Sequence, residues 1–408
     1  MNMSVRLERL LPGFAPFARV WILFTCASFA VLVTADLFRL EGVRIGPHAV
    51  IGRDFVNVWI GGKLAWINQP SIVYDIDAYR QFLENRLNIR DVYAYSYPPS
   101  TLPIAMLFAP MPYWLALVVW TLAGIGAFYC AARSYFNALG LPTLLALCNP
   151  AAFVCIWAGH YGLLVGALAL AGWRLLDDRP RAAGIMFGLM TIKPHLGILI
   201  ALVLLVQRRW TAIIYAILTL GGLFLVSSAM FGLNSWSVYL LHTLSFHAEL
   251  LTRGVAAFHS MMPTVTASLL RMNVPEPLIN AVQAASAALA ILVVLFASHR
   301  GVKTTDIGLI AASAVFLALP YAFNYDMTVV SAAALLFAAR QDYSYSTMEK
   351  LGLTAGFLLP LLLGPGRTYM VVGPAIMVLL LLVQLKIAVA TRPLTALRGG
   401  PAGAGAAR

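Results

Sequence analysis

Charge is scarce in this chain. Of its 408 residues, 11% are Asp, Glu, Lys or Arg, against 61% hydrophobic. A soluble domain of this length carries far more charge on its surface, so that class is excluded. Cysteine is nearly absent. Cys26, Cys130, Cys148 and Cys155 all sit in apolar stretches, without metal-ligand spacing or polar neighbours. This predicts buried, inert thiols, with neither a disulfide framework nor a zinc site. The alternation of polar and apolar residues that a membrane barrel requires is missing. Also missing are a Walker loop, a dinucleotide-binding glycine fingerprint and a defensible Ser-His-Asp arrangement. No period suggests internal repeats.

What is present is length of apolar run. The mean hydropathy is +0.83, and runs of about 20 residues, enough to cross a ~30 Å hydrocarbon core, recur to the end of the chain. The fold class that follows is all-α, a polytopic membrane protein with about ten to twelve membrane-inserted helices and amphipathic helices on the outer side. The formal charge of +12 does not indicate nucleic acid. Its bases lie in short clusters between apolar runs: Arg174 with Arg179 and Arg181, Arg208 with Arg209, His299-Arg300 with Lys303, and Lys386 with Arg392 and Arg398. That is the pattern of cytoplasmic loops.

A topology follows. Arg6, Arg9 and Arg19 hold the N-terminus inside, and a first crossing at about 19–38 reads as a signal anchor. Residues 39–98 form a first outer loop. In it Phe55, Val58, Trp59, Gly62 and Trp66 have helical spacing, as do Ile76, Tyr79, Phe82, Leu83 and Leu87. Both stretches read as helices lying on the membrane surface, aromatic side down. Tyr97-Pro98-Pro99 marks re-entry, a short apolar piece ends at Pro110-Met-Pro112, and Gly159-His160-Tyr161 breaks a later run. Residues 233–277 form a second outer loop with His242, His247, Arg253, His259 and Arg271. Residues 1–391 are taken as one transmembrane domain and 392–408 as a disordered cytoplasmic tail.

One segment carries an unusual signal. Arg179 and Arg181 precede it, Arg208–Arg209 follow it, and Lys193-Pro194-His195 lies midway. One straight helix would place its basic flanks on opposite sides. Two half-helices meeting at Lys-Pro return to the same side, which predicts a re-entrant hairpin offering Lys193 and His195 to a polar cavity. An ammonium at that depth is a functional candidate by default, with structural pairing as the alternative. Asp54, just past the first crossing, is either a helix cap or a working acid, and Asp326 at the outer end of a late span poses the same choice. His160 and His195 are weaker candidates. Asp75-Ile-Asp77 has the D-x-D spacing of metal and nucleotide-sugar sites, but no doubly wound domain surrounds it and Asp77 can simply start a helix over 78–87. Together these groups suit a lipid-borne substrate whose anionic head meets Lys or Arg while a carboxylate works at the water boundary.

The order of these features resembles glycosyltransferase family 87. The carrying motifs are Asp54-Phe55 with the tryptophans after the first span, the stretch reaching Tyr74, Tyr95-x-Tyr97-Pro-Pro, the short helix ending at Pro110-x-Pro112, Gly159-His-x-x-Leu-Leu164, Gly188-Leu-x-x-x-Lys193-Pro194 and Arg208-Arg-Trp210. The resemblance covers about residues 50–340. It implies the C-type fold of multi-span transferases and inverting transfer of a hexose, most often mannose, from a polyprenyl phosphate. The acceptor would be a lipid-linked or glycan molecule outside the cytoplasmic membrane of a bacterium. It implies Asp54 as general base and Lys193 on the donor phosphate, with no nucleotide, metal or other cofactor required. His160, His195, His259, Arg253, Tyr325, Asp326 and Tyr97 are the further substrate-binding candidates. The family's late Ser-Pro-x-Ser-Trp-x-His stretch reads here as Leu319-Pro-Tyr-Ala-Phe-Asn-Tyr325-Asp326, so Tyr325 stands where the histidine would be, and His259 is a candidate replacement. The rival class is a polytopic transporter or flippase, which would favour paired repeats.

Overall fold

The computed structural model describes residues 15–46, 49–89, 93–243, 245–246, 256–364 and 371–392. Helix α1 (Ala15–Leu37) contains the first crossing, and a ribbon of three two-residue antiparallel strands follows it over 40–50. The outer loop then folds into α2 (Phe55–Trp66), α3 (Ile76–Leu87) and α4 (Leu102–Met106). A long α5 (Tyr113–Ala138) precedes α6 (Pro150–Ala158), α7 (Gly162–Leu175), α8 (Pro180–Leu189), α9 (Ile198–Val206) and α10 (Trp210–Phe231). The remainder includes, besides the short helices Asn234–Val238 and Ala256–His259, α11 (Val265–Arg271), α12 (Glu276–His299), α13 (Thr304–Ala318), α14 (Thr328–Ala338), α15 (Thr347–Leu362) and α16 (Gly373–Ala390). Among the described residues, five helices are long and apolar enough to cross a membrane: α1, α5, α10, α12 and α16. Shorter apolar helices, α7, α13 and α14 among them, lie between these spans.

The lipid-facing readings need two corrections. Helix α2 does not lie with its aromatic side on the membrane. Phe55, Val56, Val58, Ile60 and Leu64 are buried in protein, Trp59 Nε1 donates to the Met111 carbonyl at 3.0 Å, and of the aromatic residues only Trp66 is well exposed. A helix apolar on every side finds its partners in protein, and the Gly61-Gly62 pair makes the approach possible. A Cβ at Gly62 would sit 2.1 Å from the Ala105 carbonyl of α4, and one at Gly61 would sit 2.5 Å from the Tyr95 ring. Two cysteines expected to be buried, Cys26 and Cys130, are exposed on apolar helices, while Cys155 is buried as expected and Cys148 is intermediate. A thiol on a spanning helix is apolar enough to face lipid, so burial in protein was not required.

The segment from Pro180 to Val206 breaks at Lys193, as its proline predicts. Helix α8 ends at Leu189, two short 3-10 turns carry Met190–Ile192 and Pro194–Gly197, and α9 resumes at Ile198. Arg209 beyond α9 pairs with Asp177 before α8 at 2.6 Å. The chain therefore enters and returns on one side, which is the re-entrant hairpin. That side is the basic end of the molecule. It also holds the Arg340–Asp306 and Lys386–Glu349 pairs and the Arg392 contact to the Arg300 carbonyl. The chain starts of α7 and α14 and the tip of the hairpin lie together at the other end.

Candidate functional site

Four breaks in helical structure converge there, each specified locally. The first is the turn 50–54 before α2, where Gly52 and Arg53 take positive φ values of 72° and 29°. The second is Gly159, whose φ of 63° ends α6 and leaves no room for a side chain, because a Cβ would sit 2.5 Å from the Gly52 carbonyl. The Asp54 amide donates to the Ala158 carbonyl at 2.9 Å and so stitches the two breaks together. The third is Lys193. The fourth is the loop 319–327 between α13 and α14. Asn324 anchors this loop by donating through Nδ2 to the Pro360 and Leu363 carbonyls at the end of α15, at 3.0 and 3.1 Å, and through its backbone amide to the Met261 carbonyl. These bonds use carbonyls that a helix C-terminus leaves unpaired. Gly162 lets α7 close against the same loop, since a Cβ there would lie 2.1 Å from the Tyr325 carbonyl.

The side chains form a connected line. Lys193 Nζ donates to both Asp326 oxygens at 2.8 Å, and the two side chains are 7% and 0% exposed. Asp326 Oδ1 lies 3.8 Å from His160 Nδ1. The Nε2 of His160 shares a 2.8 Å hydrogen bond with the Tyr97 hydroxyl, and the Tyr325 ring stacks on the imidazole with centroids 3.9 Å apart. The Lys193 ammonium lies 5.0 Å above the Tyr325 ring, a favourable cation–π placement. Burial first, then the charge of Lys193, pushes the His160 pKa below its ordinary value. This favours the neutral imidazole, whose Nε2 meets Tyr97 while Nδ1 has no hydrogen-bond partner among the described residues.

Asp54 stands beside this line. It precedes α2 but its side chain makes no capping hydrogen bond, and Asp326 likewise caps nothing. The cap alternative therefore fails for both, and each carboxylate is available for a charge partner or a substrate. Burial pushes the Asp54 carboxyl up to about 6, opposed by Lys193 and Arg53 and reinforced by Asp326. Asp54, tied to Ala158 two positions before His160, and Lys193, paired with Asp326 beside His160, thus lie at the same end of the molecule although 139 positions apart in sequence.

Sequence reasoning missed the support for Asp54. Arg53 donates to both oxygens of Asp36, at 2.7 and 2.8 Å, and Trp157 Nε1 donates to the same carboxylate at 2.7 Å. The Arg53 guanidinium also lies 3.3 Å above the Trp157 ring. A fork held on both oxygens and stacked on an indole is immobilised, and it fixes the backbone on which Asp54 rides. The available signal was an acid, Asp36, at the end of a spanning helix.

The other candidates divide. His195 is half-buried and meets Tyr321 edge-on at 6.0 Å. His259 is buried near the loop 319–327, two positions before the carbonyl of Met261 that holds Asn324. Arg253 and His247 lie outside the described residues. The D-x-D pair is a structural cap: Asp75, not Asp77, accepts from the amides of Asp77 and Ala78 at 3.1 and 3.0 Å and starts α3. Among the described residues no group of three or more His, Cys, Asp or Glu is placed to hold a metal ion.

Residues 95–320, more than half of the chain, match the family model described as glycosyltransferase family 87. This region contains Tyr97, His160, Lys193, His195 and His259, while Asp54, Tyr325 and Asp326 lie outside it. Comparison with curated proteins and with solved structures gives no match.

Proposed function

Because the chain belongs to glycosyltransferase family 87, a family of membrane glycosyltransferases, we propose that it transfers a hexose, mannose first, from a polyprenyl phosphate to a lipid-linked or glycan acceptor, with Asp54 as general base. The active end faces away from the cytoplasm in this reading, on the outer side of a bacterial cytoplasmic membrane, and the architecture is of the C type. The observation that carries the reading is the gathering of Asp54, Lys193 and Asp326 in one site. Orientation is supported by the concentration of Arg174, Arg181, Arg209, Arg300, Lys303 and Arg340 at the opposite end of the helices.

The chemistry is a single displacement. The acceptor hydroxyl gives its proton to the Asp54 carboxylate as its oxygen bonds to the anomeric carbon. The bond from that carbon to the phosphate oxygen breaks, and its electron pair leaves with the polyprenyl phosphate. Lys193 has three N–H donors and spends two on Asp326, so the third is available to the charge growing on the phosphate. The family reading assigns Lys193 to the donor, and its pairing with Asp326 holds the ammonium in place. Tyr97 and His160 line the approach, with Tyr325 and Tyr161 forming aromatic walls to the sugar. Asp326 is the charged residue lining an otherwise largely apolar slot with Val165, Leu199, Val315 and Val329.

The experiment is mass spectrometry of membrane glycolipids from cells with and without the active gene. One glycolipid species is expected to lose one hexose, with its precursor accumulating. An unchanged glycolipid profile together with gene-dependent movement of lipid between leaflets would favour a flippase instead.

A further inference from the structure

The same helices that present the candidate active site at one end enclose a second cavity at the other. Helix α7 begins beside His160 and ends at Leu175, about 21 Å away at 1.5 Å per residue. Helix α14 begins beside Asp326 and ends just before Arg340, and α13 starts there. Between these ends and the end of α5 lies a cavity of about 280 Å³ lined by Arg174, Lys303, Arg340, Asp306, Tyr135 and Leu309 among others.

Its chemistry is graded. Arg174 and Lys303 stand exposed at the rim. Arg340 is deeper, 14% exposed, and donates through one terminal nitrogen to the buried Asp306. Its Nε is buried without a hydrogen-bond partner among the described residues. Three cations and one carboxylate, Asp306, thus line the cavity. Leu139, Leu309 and Leu336 supply an apolar wall alongside them. Arg174 also pairs with Asp178 on the surface at 2.9 Å, which leaves its other nitrogens available.

We propose that this cavity binds a phosphate group, supplied in the membrane by the headgroup of an anionic phospholipid of the basic-end leaflet. The three cations lining the cavity match the phosphate, and the leucine wall matches the glycerol and the first methylenes of the chains. A headgroup seated there bridges α5, α7, α13 and α14, the helices that position His160 and Asp326. The site is separate from the transfer chemistry, and its occupancy is readable without any glycosyl donor.

The test is thermal unfolding of the purified full-length protein in detergent, titrated separately with dioctanoyl phosphatidylglycerol, dioctanoyl phosphatidylcholine and inorganic phosphate. Phosphatidylglycerol is expected to raise Tm saturably, and phosphatidylcholine is not. In the double variant Arg174→Gln/Lys303→Gln the half-saturating concentration is expected to rise at least tenfold, about 1.4 kcal/mol, while Tm without lipid stays at the wild-type value because both side chains are exposed. Lys303→Arg is expected to retain the response. A saturable shift with inorganic phosphate that the double variant weakens equally assigns the site to free phosphate and keeps the proposal. An equal phosphatidylglycerol response in wild type and double variant overturns it, as does an equal response to phosphatidylcholine, or none to either phosphate source.

Discussion

Asp54→Asn is expected to lower the rate of hexose transfer by about 10²- to 10⁴-fold, the range for loss of a positioned general base, with little change in KM for the donor. The reason is local. The side chain caps nothing, so in the proposed mechanism the amide removes the proton acceptor without removing a helix cap. The pH dependence carries the same signature. With its carboxyl pushed up to about 6, the base form is lost as pH falls through that value. Wild-type kcat/KM is expected to drop about tenfold per unit below it and to be flat above it. Stability moves the other way. An acid whose folded pKa lies above its unfolded one favours the protonated native state, so ionisation disfavours folding as pH rises from the unfolded value towards 6. Asp54→Asn cannot ionise, and above pH 6 its Tm should equal or exceed that of wild type. Inactivity with undiminished Tm separates the chemical role from misfolding. Full activity in the variant would remove Asp54 from the mechanism.

The second large effect is at Lys193 and Asp326. Removing one partner leaves the other buried and unpaired, at a cost of about 3–5 kcal/mol. Lys193→Ala and Asp326→Ala are each expected to lower Tm and abolish transfer, and the single variants alone cannot separate folding from function. The double change Lys193→Met/Asp326→Leu can. It removes both charges and keeps apolar bulk, so most of the lost Tm should return while transfer remains undetectable. Recovered transfer in the double variant would show that the pair is structural only, and that the ammonium makes no contact with the donor. His160 should report the disturbance in the single variants, since its Nδ1 lies 3.8 Å from Asp326 and its Nε2 is hydrogen-bonded to Tyr97.

Much of this architecture is legible in the sequence because lipid imposes a strong constraint: long apolar runs have few alternatives to spanning. The hairpin at Lys193 was readable for the same reason, from basic residues flanking a segment too short to cross and return as two full helices. Asp54, Lys193, Asp326, His160 and Tyr97 were readable as polar groups at helix breaks. Their contacts were not. Nothing in the spacing says that Lys193 spends two donors on Asp326, or that Tyr325 stacks on His160, because those facts depend on how the loop 319–327 is tied to α15 through Asn324. The surface-lying reading of α2 failed because helical spacing of aromatic residues does not distinguish lipid from protein as the partner. Gly62 was counted in that stripe, but the Gly61-Gly62 pair signals close packing against protein. Arg53 was passed over as the neighbour of a more conspicuous acid, and its partners Asp36 and Trp157 are 17 and 104 positions away.

The stereochemistry of the new bond tests the central claim most directly. The wild-type enzyme, purified and reconstituted in lipid, would be supplied with a polyprenyl-phosphate hexose of defined anomeric configuration and an acceptor glycolipid, and the product examined by NMR. A single displacement driven by one carboxylate base predicts inversion at the anomeric carbon. Retention of configuration would require a covalent intermediate or an ionic route in place of the single displacement, and would contradict the account.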